Sequence, residues 1–347
     1  MTPFLPDSAR EALLYKKLSR RRAKCGLCPH GCIIGPGETG MCRARKNSGG
    51  ILYAESRALG SVSFVDPVEK KPFYHFLPGS KCYSVGASGC TMRCRFCINW
   101  QLSQNGKGNL KSARRHAATV EKIVSDANNA GCRSIAYTYN EPLVHIENVI
   151  ELAKRSRESG LKNIIKTNGF ITPKATAMLV PFLDAANVDL KAFNEESYRK
   201  MGGRLRPVLT TLRLLKAMNI WIEVTTVVVP GHSDGVEELS DMAGFIVDEL
   251  GKETPWHIHR FFPEYRMKGA CPTPLEMLER AMMLGNKAGL EFVYLSNLAL
   301  SGKQNTICPG CDGKTIIRKG FSVTRNTMKI GKCKKCTFQL PGRWGHE

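Results

Sequence analysis

The chain has 347 residues, 42% of them hydrophobic, with 14 cysteines and a formal net charge of +21. That length suits a large α/β domain carrying small modules better than one small fold, and the apolar content supports a core. No run of eighteen apolar residues occurs and the first 25 residues hold no apolar signal segment, which excludes a hydrophobic membrane-spanning helix and leads us to expect a cytoplasmic protein.

Charge is concentrated at the ends. Residues 1–50 carry ten Lys/Arg against three Asp/Glu, and residues 302–347 carry ten against two. Basic ends favour anionic partners, RNA among them, although a solvated basic face is the commoner explanation. Eleven cysteines fall into close-spaced groups, and without a secretion signal such spacing indicates metal binding rather than a disulfide framework.

Taken in chain order, residues 8–22 read as a helix, with Ser8 and Glu11 as a capping box and Leu13, Leu14 and Leu18 on one face. Residues 25–45 form a Cys/Gly/Pro-rich loop. From residue 82 strand-like and helix-like runs alternate. Strands are predicted at 82–86, 134–138, 163–167, 185–190, 221–228, 256–261 and 291–295; helices at 116–130, 143–159, 173–183, 208–218, 235–250 and 274–288. Such alternation predicts an α/β fold with a parallel sheet, a full or partial (β/α) barrel whose chemistry sits at the carboxyl ends of the strands. Three parts follow: a Cys-rich N-terminal module at 1–75, the barrel at 76–301, and a zinc-ribbon-like tail at 302–347.

The motif "GASGCTMRCRFCINW" follows the first barrel strand and places Cys90, Cys94 and Cys97 in C-x3-C-x2-C spacing. Three thiolates hold three corners of a [4Fe–4S] cluster and leave one iron free of protein ligands. That iron can chelate an amine and a carboxylate, as S-adenosylmethionine offers, beside a low-potential electron donor. Cys308, Cys311, Cys333 and Cys336 form CxxC-x21-CxxC, the signature of a closed four-thiolate zinc site, with a rubredoxin-like iron site as the minor alternative. Cys25, Cys28, Cys32 and Cys42, with His30 among them as a bystander, also suit a metal. Zinc and an auxiliary iron–sulfur cluster both fit there, and the reading leans to zinc. Cys82, Cys132 and Cys271 have no partners at metal spacing and read as buried structural thiols, with a hydrogen-atom donor role for Cys271 as a remote alternative.

The chain resembles, over nearly its whole length, the radical S-adenosylmethionine enzyme of the AmmeMemoRadiSam system, related to pyruvate formate-lyase activating enzymes. The resemblance rests on "CGLCPHGC", "DPVEKKPFYHFLPGS", "CTMRCRFCINWQLSQ", "YTYNEP", "KTNGF", "NVDLKAF", "WIEVTTVVVPG", "PWHIHRFFPEY" and "CPGC…CKKC". It implies reductive cleavage of the cofactor to a 5′-deoxyadenosyl radical, which abstracts hydrogen from a substrate. It also implies an external one-electron reductant of flavodoxin or ferredoxin type, with Memo-like and AMMECR-type proteins as partners.

The same resemblance gives Thr138, Tyr139, Asn140 and Glu141 a place near the cofactor's amino group; the alternative is a cap on the following helix. Thr167 and Asn168 are implied near the ribose or methionine part, where a plain turn is the alternative. Lys166 stands where related enzymes have an acid and a cation, so it either supplies that charge or points outward. Asp189 and Lys191 share one side of a strand, as cofactor-orienting groups or as a local ion pair. His257 and His259 also share a face, and Lys191 and His259 are the candidate catalytic pair. Ser296 departs from a usual glycine. The substrate is a glycyl-radical partner protein, an RNA or another anion, or a small metabolite. A metal-stabilised nucleic-acid-binding protein without catalysis is the rival reading.

Overall fold

The computed structural model describes residues 9–55, 59–104, 118–298 and 302–345. Ser8 of the expected capping box and His116 at the start of an expected helix lie outside the described residues.

The N-terminal part is built from six short strands: β1 (Ala9–Glu11), β2 (Tyr15–Lys17), β3 (Ala23–Cys25), β4 (Ile33–Ile34), β5 (Arg45–Ser48) and β6 (Ile51–Glu55). They form two antiparallel sheets, in the orders β1-β6-β5 and β2-β3-β4. Residues 9–22 are therefore not the helix their leucines suggest. Ala12 and Leu14 are buried while Leu13 between them is 52% exposed, which is the period of a strand. Arg20 and Arg21, at φ of 56° and 54°, turn the chain back on itself. Pairing partners supplied by distant strands outweigh the local helical pattern.

The main sheet has eight strands in sequential order: β7 (Val62–Pro67), β8 (Lys81–Gly86), β9 (Ser134–Tyr137), β10 (Lys162–Thr167), β11 (Ala185–Asp189), β12 (Trp221–Val228), β13 (Trp256–Arg260) and β14 (Val293–Leu295). β7 runs antiparallel to β8, and every later neighbour pair is parallel. This is the expected α/β partial barrel, with each predicted strand and helix present within a few residues of its expected ends. Its helices cover one face through residues such as Val149 and Leu152 of Ile146–Glu158, Val208 and Leu212 of Leu205–Ala217, and Leu278 and Ala281 of Leu275–Ala288, all fully buried. Thr172 caps Pro173–Leu179 by accepting from the Ala175 N–H, with Pro173 in the first turn where its missing N–H costs nothing. Trp256 is the largest fully buried side chain, and its truncation to alanine costs about 3–5 kcal/mol on the usual scale for core aromatics.

The stretch "DPVEKKPFYHFLPGS" seals the other end of the barrel. Phe73, Tyr74, His75 and Phe76 are all buried. The Tyr74 and His75 backbone N–H groups donate to the Glu223 carboxylate of β12, each at 2.9 Å, and His257 donates to it from Nε2 at 2.6 Å. Arg318 lies 4.0 Å over the Tyr74 ring. It comes from β16 (Lys314–Lys319), which pairs with β15 (Thr306–Ile307) and β17 (Ser322–Asn326), so the C-terminal sheet is docked through this plug. No helix among the described residues is long and apolar enough to cross a membrane.

Candidate active site

The loop after β8 carries Cys90, Cys94 and Cys97. Gly86 ends the strand because a Cβ there would stand 2.9 Å from the Tyr139 ring and 3.0 Å from the Thr138 carbonyl. The three thiols line a cavity of about 500 Å³. Its other walls come from the carboxyl ends of β9 to β13, where barrel chemistry is expected. Tyr139, Asn140, Glu141, Thr167, Asn168, Asp189, Lys191 and His259 all line it, as do Thr138 and Lys166.

Hydrogen-bond donors surround the sulfurs. The Met92 N–H donates to Cys90 Sγ at 3.4 Å, the Asn168 amide donates to it at 3.5 Å, and Ser103 Oγ lies 3.1 Å from Cys97 Sγ. Burial pushes the Cys94 thiol up to about 11, against the pull of the Lys191 ammonium. In the thiolate form required of a metal ligand, these sulfurs need both the donors and a cation.

Glu141 is 1% exposed. Its carboxylate accepts from the Asn168 N–H at 2.8 Å, the Thr167 hydroxyl at 2.9 Å and the Leu143 N–H at 3.2 Å. It thus caps the single turn Pro142–His145 that leads into the following helix and also lines the cavity. Burial pushes its carboxyl up to about 7, opposed by those three hydrogen bonds. Asn140 positions the Cys loop: its amide donates to the Gly89 carbonyl at 3.0 Å and its oxygen accepts the Ala87 N–H at 3.2 Å. Tyr139 sits at φ 72°, a conformation that costs an aromatic residue about 1–3 kcal/mol. Its hydroxyl donates to Asp66 at 2.7 Å, and the Lys71 ammonium lies 4.4 Å from its ring.

Asp189 is held by two ammoniums, Lys191 at 2.7 Å and Lys166 in still closer contact. Burial pushes its carboxyl up, but the two lysines outweigh this and hold it well below the usual carboxylate range. Lys166 therefore points inward, and its Nζ also donates to Asn187 at 2.5 Å. The two histidines of β13 separate. His257 is locked between Ser296 and Glu223, at 2.6 Å from each, in the sealed end. His259 faces the cavity with its Nε2 buried and without a hydrogen-bond partner. Burial and the Lys166 charge hold it well below its ordinary range, so it is neutral.

Comparison with known proteins decides the family. Residues 85–245 match the radical SAM superfamily. An uncharacterised protein of Methanocaldococcus jannaschii is 38% identical over 330 residues, covering 94% of this chain and 97% of that protein. The chain belongs to the radical SAM superfamily. It is an enzyme of that superfamily, and membership implies a [4Fe–4S] cluster and S-adenosylmethionine. A pyruvate formate-lyase-activating enzyme of Listeria monocytogenes is 26% identical over 180 residues, covering 49% of this chain and 70% of that enzyme. A solved domain of a pyruvate-formate lyase-activating enzyme from Bacteroides vulgatus overlaps 46% of this chain and 96% of that domain, at 15% identity and a TM-score of 0.41.

The residues fit a radical SAM cofactor set. Cys90, Cys94 and Cys97 are the only cysteines that line the cavity among the described residues, and an orphaned His259 nitrogen faces the same space. Sequence reasoning missed Thr91, whose hydroxyl accepts from the Asn168 amide at 3.0 Å and joins the Cys loop to β10. It also missed Asp66 and Lys71, which brace Tyr139; their charges inside the apolar "DPVEKKPFYHF" were the available signal. Phe321, in the turn between β16 and β17, adds a wall from the tail.

Elsewhere, Cys308, Cys311, Cys333 and Cys336 bring all four sulfurs within 4.8 Å of one another, a group able to hold a metal ion. Cys82 and Cys132 are buried as expected. Cys271 is exposed, which corrects its assignment as a buried thiol; it sits among Gly, Pro and Thr residues that offer no apolar cover.

Proposed function

We propose that this radical SAM enzyme holds its [4Fe–4S] cluster on Cys90, Cys94 and Cys97 and performs activating-enzyme-like hydrogen abstraction as a member of the AmmeMemoRadiSam group. One observation carries this: residues nominated from four separate strand ends, those of β9, β10, β11 and β13, line one cavity together with the three thiols. When bound, the cluster and S-adenosylmethionine supply a one-electron cleavage that yields a 5′-deoxyadenosyl radical.

The chain's own residues bind, orient and shield. Glu141 offers a carboxylate acceptor to the N–H groups of an amine, and its bonds to Thr167 and Asn168 fix its aim. Asp189, kept ionised by Lys166 and Lys191, offers acceptors for hydroxyls. Lys191 also offsets thiolate charge at Cys94. His259, neutral and unpartnered, holds a free ring nitrogen toward whatever occupies the cavity, and we assign it and Lys191 to the catalytic pair. Phe96, Phe261 and Phe262 add apolar wall that excludes water. The external reductant is of flavodoxin or ferredoxin type, Memo-like and AMMECR-type proteins are partners, and zinc fills the C-terminal site.

The rival, a metal-braced nucleic-acid-binding protein, draws on the basic tail. Equilibrium binding separates the two. The anaerobically reconstituted protein is expected to bind S-adenosylmethionine, with at least tenfold loss in Asp189→Asn. Salt-steep RNA binding without cofactor binding would instead support the rival.

A further inference from the structure

The chain holds three groups of cysteines, and the spacing of their sulfurs sorts them. Four thiolates on one tetrahedral zinc lie about 3.8 Å apart, because each Zn–S bond is about 2.3 Å. The C-terminal group has this spacing: Cys308 and Cys336 are 3.6 Å apart and Cys311 and Cys333 3.8 Å. Among the described residues it is also the only group of metal-ligating side chains with three or more ligand atoms all within 4.8 Å. Cys90, Cys94 and Cys97 form no such compact group, and thiolates bound to different irons of one cluster stand farther apart than those on a single ion. Nor do any three sulfurs of Cys25, Cys28, Cys32 and Cys42 lie that close together. The four nevertheless belong to one tight loop, where the Cys25 N–H donates to the Cys32 carbonyl at 2.9 Å and the Gly31 N–H to the Cys28 carbonyl at 3.1 Å, with Cys25, Cys28 and Cys42 buried and Cys32 half-buried.

This N-terminal group lies directly behind the catalytic loop. His30, between Cys28 and Cys32, meets the Thr91 carbonyl at 2.7 Å, one residue from Cys90. Arg93, between Cys90 and Cys94, donates to the Cys90 carbonyl at 2.9 Å and also to the Met41 carbonyl beside Cys42. Gly89, at φ +95°, lets the two loops touch, since a Cβ there would come within 2.6 Å of the Cys42 carbonyl. Such a seam is far tighter than a remote structural brace requires.

We propose that Cys25, Cys28, Cys32 and Cys42 hold a second [4Fe–4S] cluster, revising the expectation of zinc. Four protein thiolates leave no open iron, so this cluster exchanges electrons and binds no substrate. One electron arrives from an external low-potential one-electron donor and one leaves toward the Cys90–Cys94–Cys97 loop, with no bond to the protein made or broken. The proposal borrows the triad's assignment only as a yardstick for spacing.

Metal analysis and Mössbauer spectroscopy of the full chain, reconstituted anaerobically with iron and sulfide and supplied with zinc, test it. The wild type is expected to carry about eight irons and about one zinc per chain. The Cys90→Ala/Cys94→Ala/Cys97→Ala variant keeps half of that iron, and Cys28→Ala/Cys42→Ala loses half. Four irons and two zincs in the wild type overturn the second cluster yet leave the triad's reading intact. Full iron retention in the triple variant strikes the triad's reading instead. The wild-type count decides even if a variant fails to fold.

Discussion

The Glu141 carboxylate accepts the Asn168 backbone N–H at 2.8 Å, and this bond ties the ends of β9 and β10 together at the cavity wall. Thr167 and Leu143 donate to the same group. Glu141→Ala leaves three donors without that acceptor and is expected to destabilise the fold by about 1–3 kcal/mol in urea unfolding. Glu141→Gln keeps an acceptor oxygen and is expected to cost less.

The Glu141 carboxyl titrates near 7, raised by burial from an ordinary 4.5. In the ligand-free protein its contribution to stability is present in full below pH 4.5 and is lost as pH rises through 7, because the folded state favours the protonated form. A ligand whose amine N–H groups donate to the carboxylate reverses that preference. S-adenosylmethionine affinity is therefore expected to rise several-fold between pH 6 and 8 and then level off. Isothermal titration across that range checks it, and Glu141→Gln should flatten the step.

Asp189 between Lys166 and Lys191 gives an asymmetric prediction. Asp189→Asn leaves two half-buried ammoniums without their counter-charge and is expected to cost about 1–3 kcal/mol, seen as a drop in Tm. Lys191→Met leaves the Lys166–Asp189 pair intact and should cost less than half of that. Equal losses would contradict the ion-pair geometry.

The C-terminal sulfurs gather around one point, and a metal held there would brace a tail of this size. Removing the ion with a strong chelator, or substituting Cys311→Ser, is expected to unfold the tail and uncover Tyr74 and Trp344. Tryptophan fluorescence and limited proteolysis report it, and a tail that stays protected without metal would refute a structural ion.

Much of this was legible in the chain. The alternation of strands and helices from residue 82 marked the barrel because each element has its own clear period. The residues that line the cavity were nominated because family motifs fall at strand ends, where barrel chemistry collects. The N-terminal strands were not, since Leu13, Leu14 and Leu18 mimic a helical face while the strands that pair there lie up to 46 residues away. Nor was the inward turn of Lys166, which depends on Asp189 and Asn187 from the neighbouring strand. The split between His257 and His259 depends on depth in the barrel, and depth leaves no mark in a two-residue period.

The most direct measurement is of 5′-deoxyadenosine, formed when the anaerobically reconstituted protein meets dithionite and S-adenosylmethionine. The wild type is predicted to release 5′-deoxyadenosine and methionine, and Cys94→Ala to release neither. A wild type fully loaded with iron yet silent, or a Cys94→Ala protein that still cleaves the cofactor, would contradict the assignment of Cys90, Cys94 and Cys97.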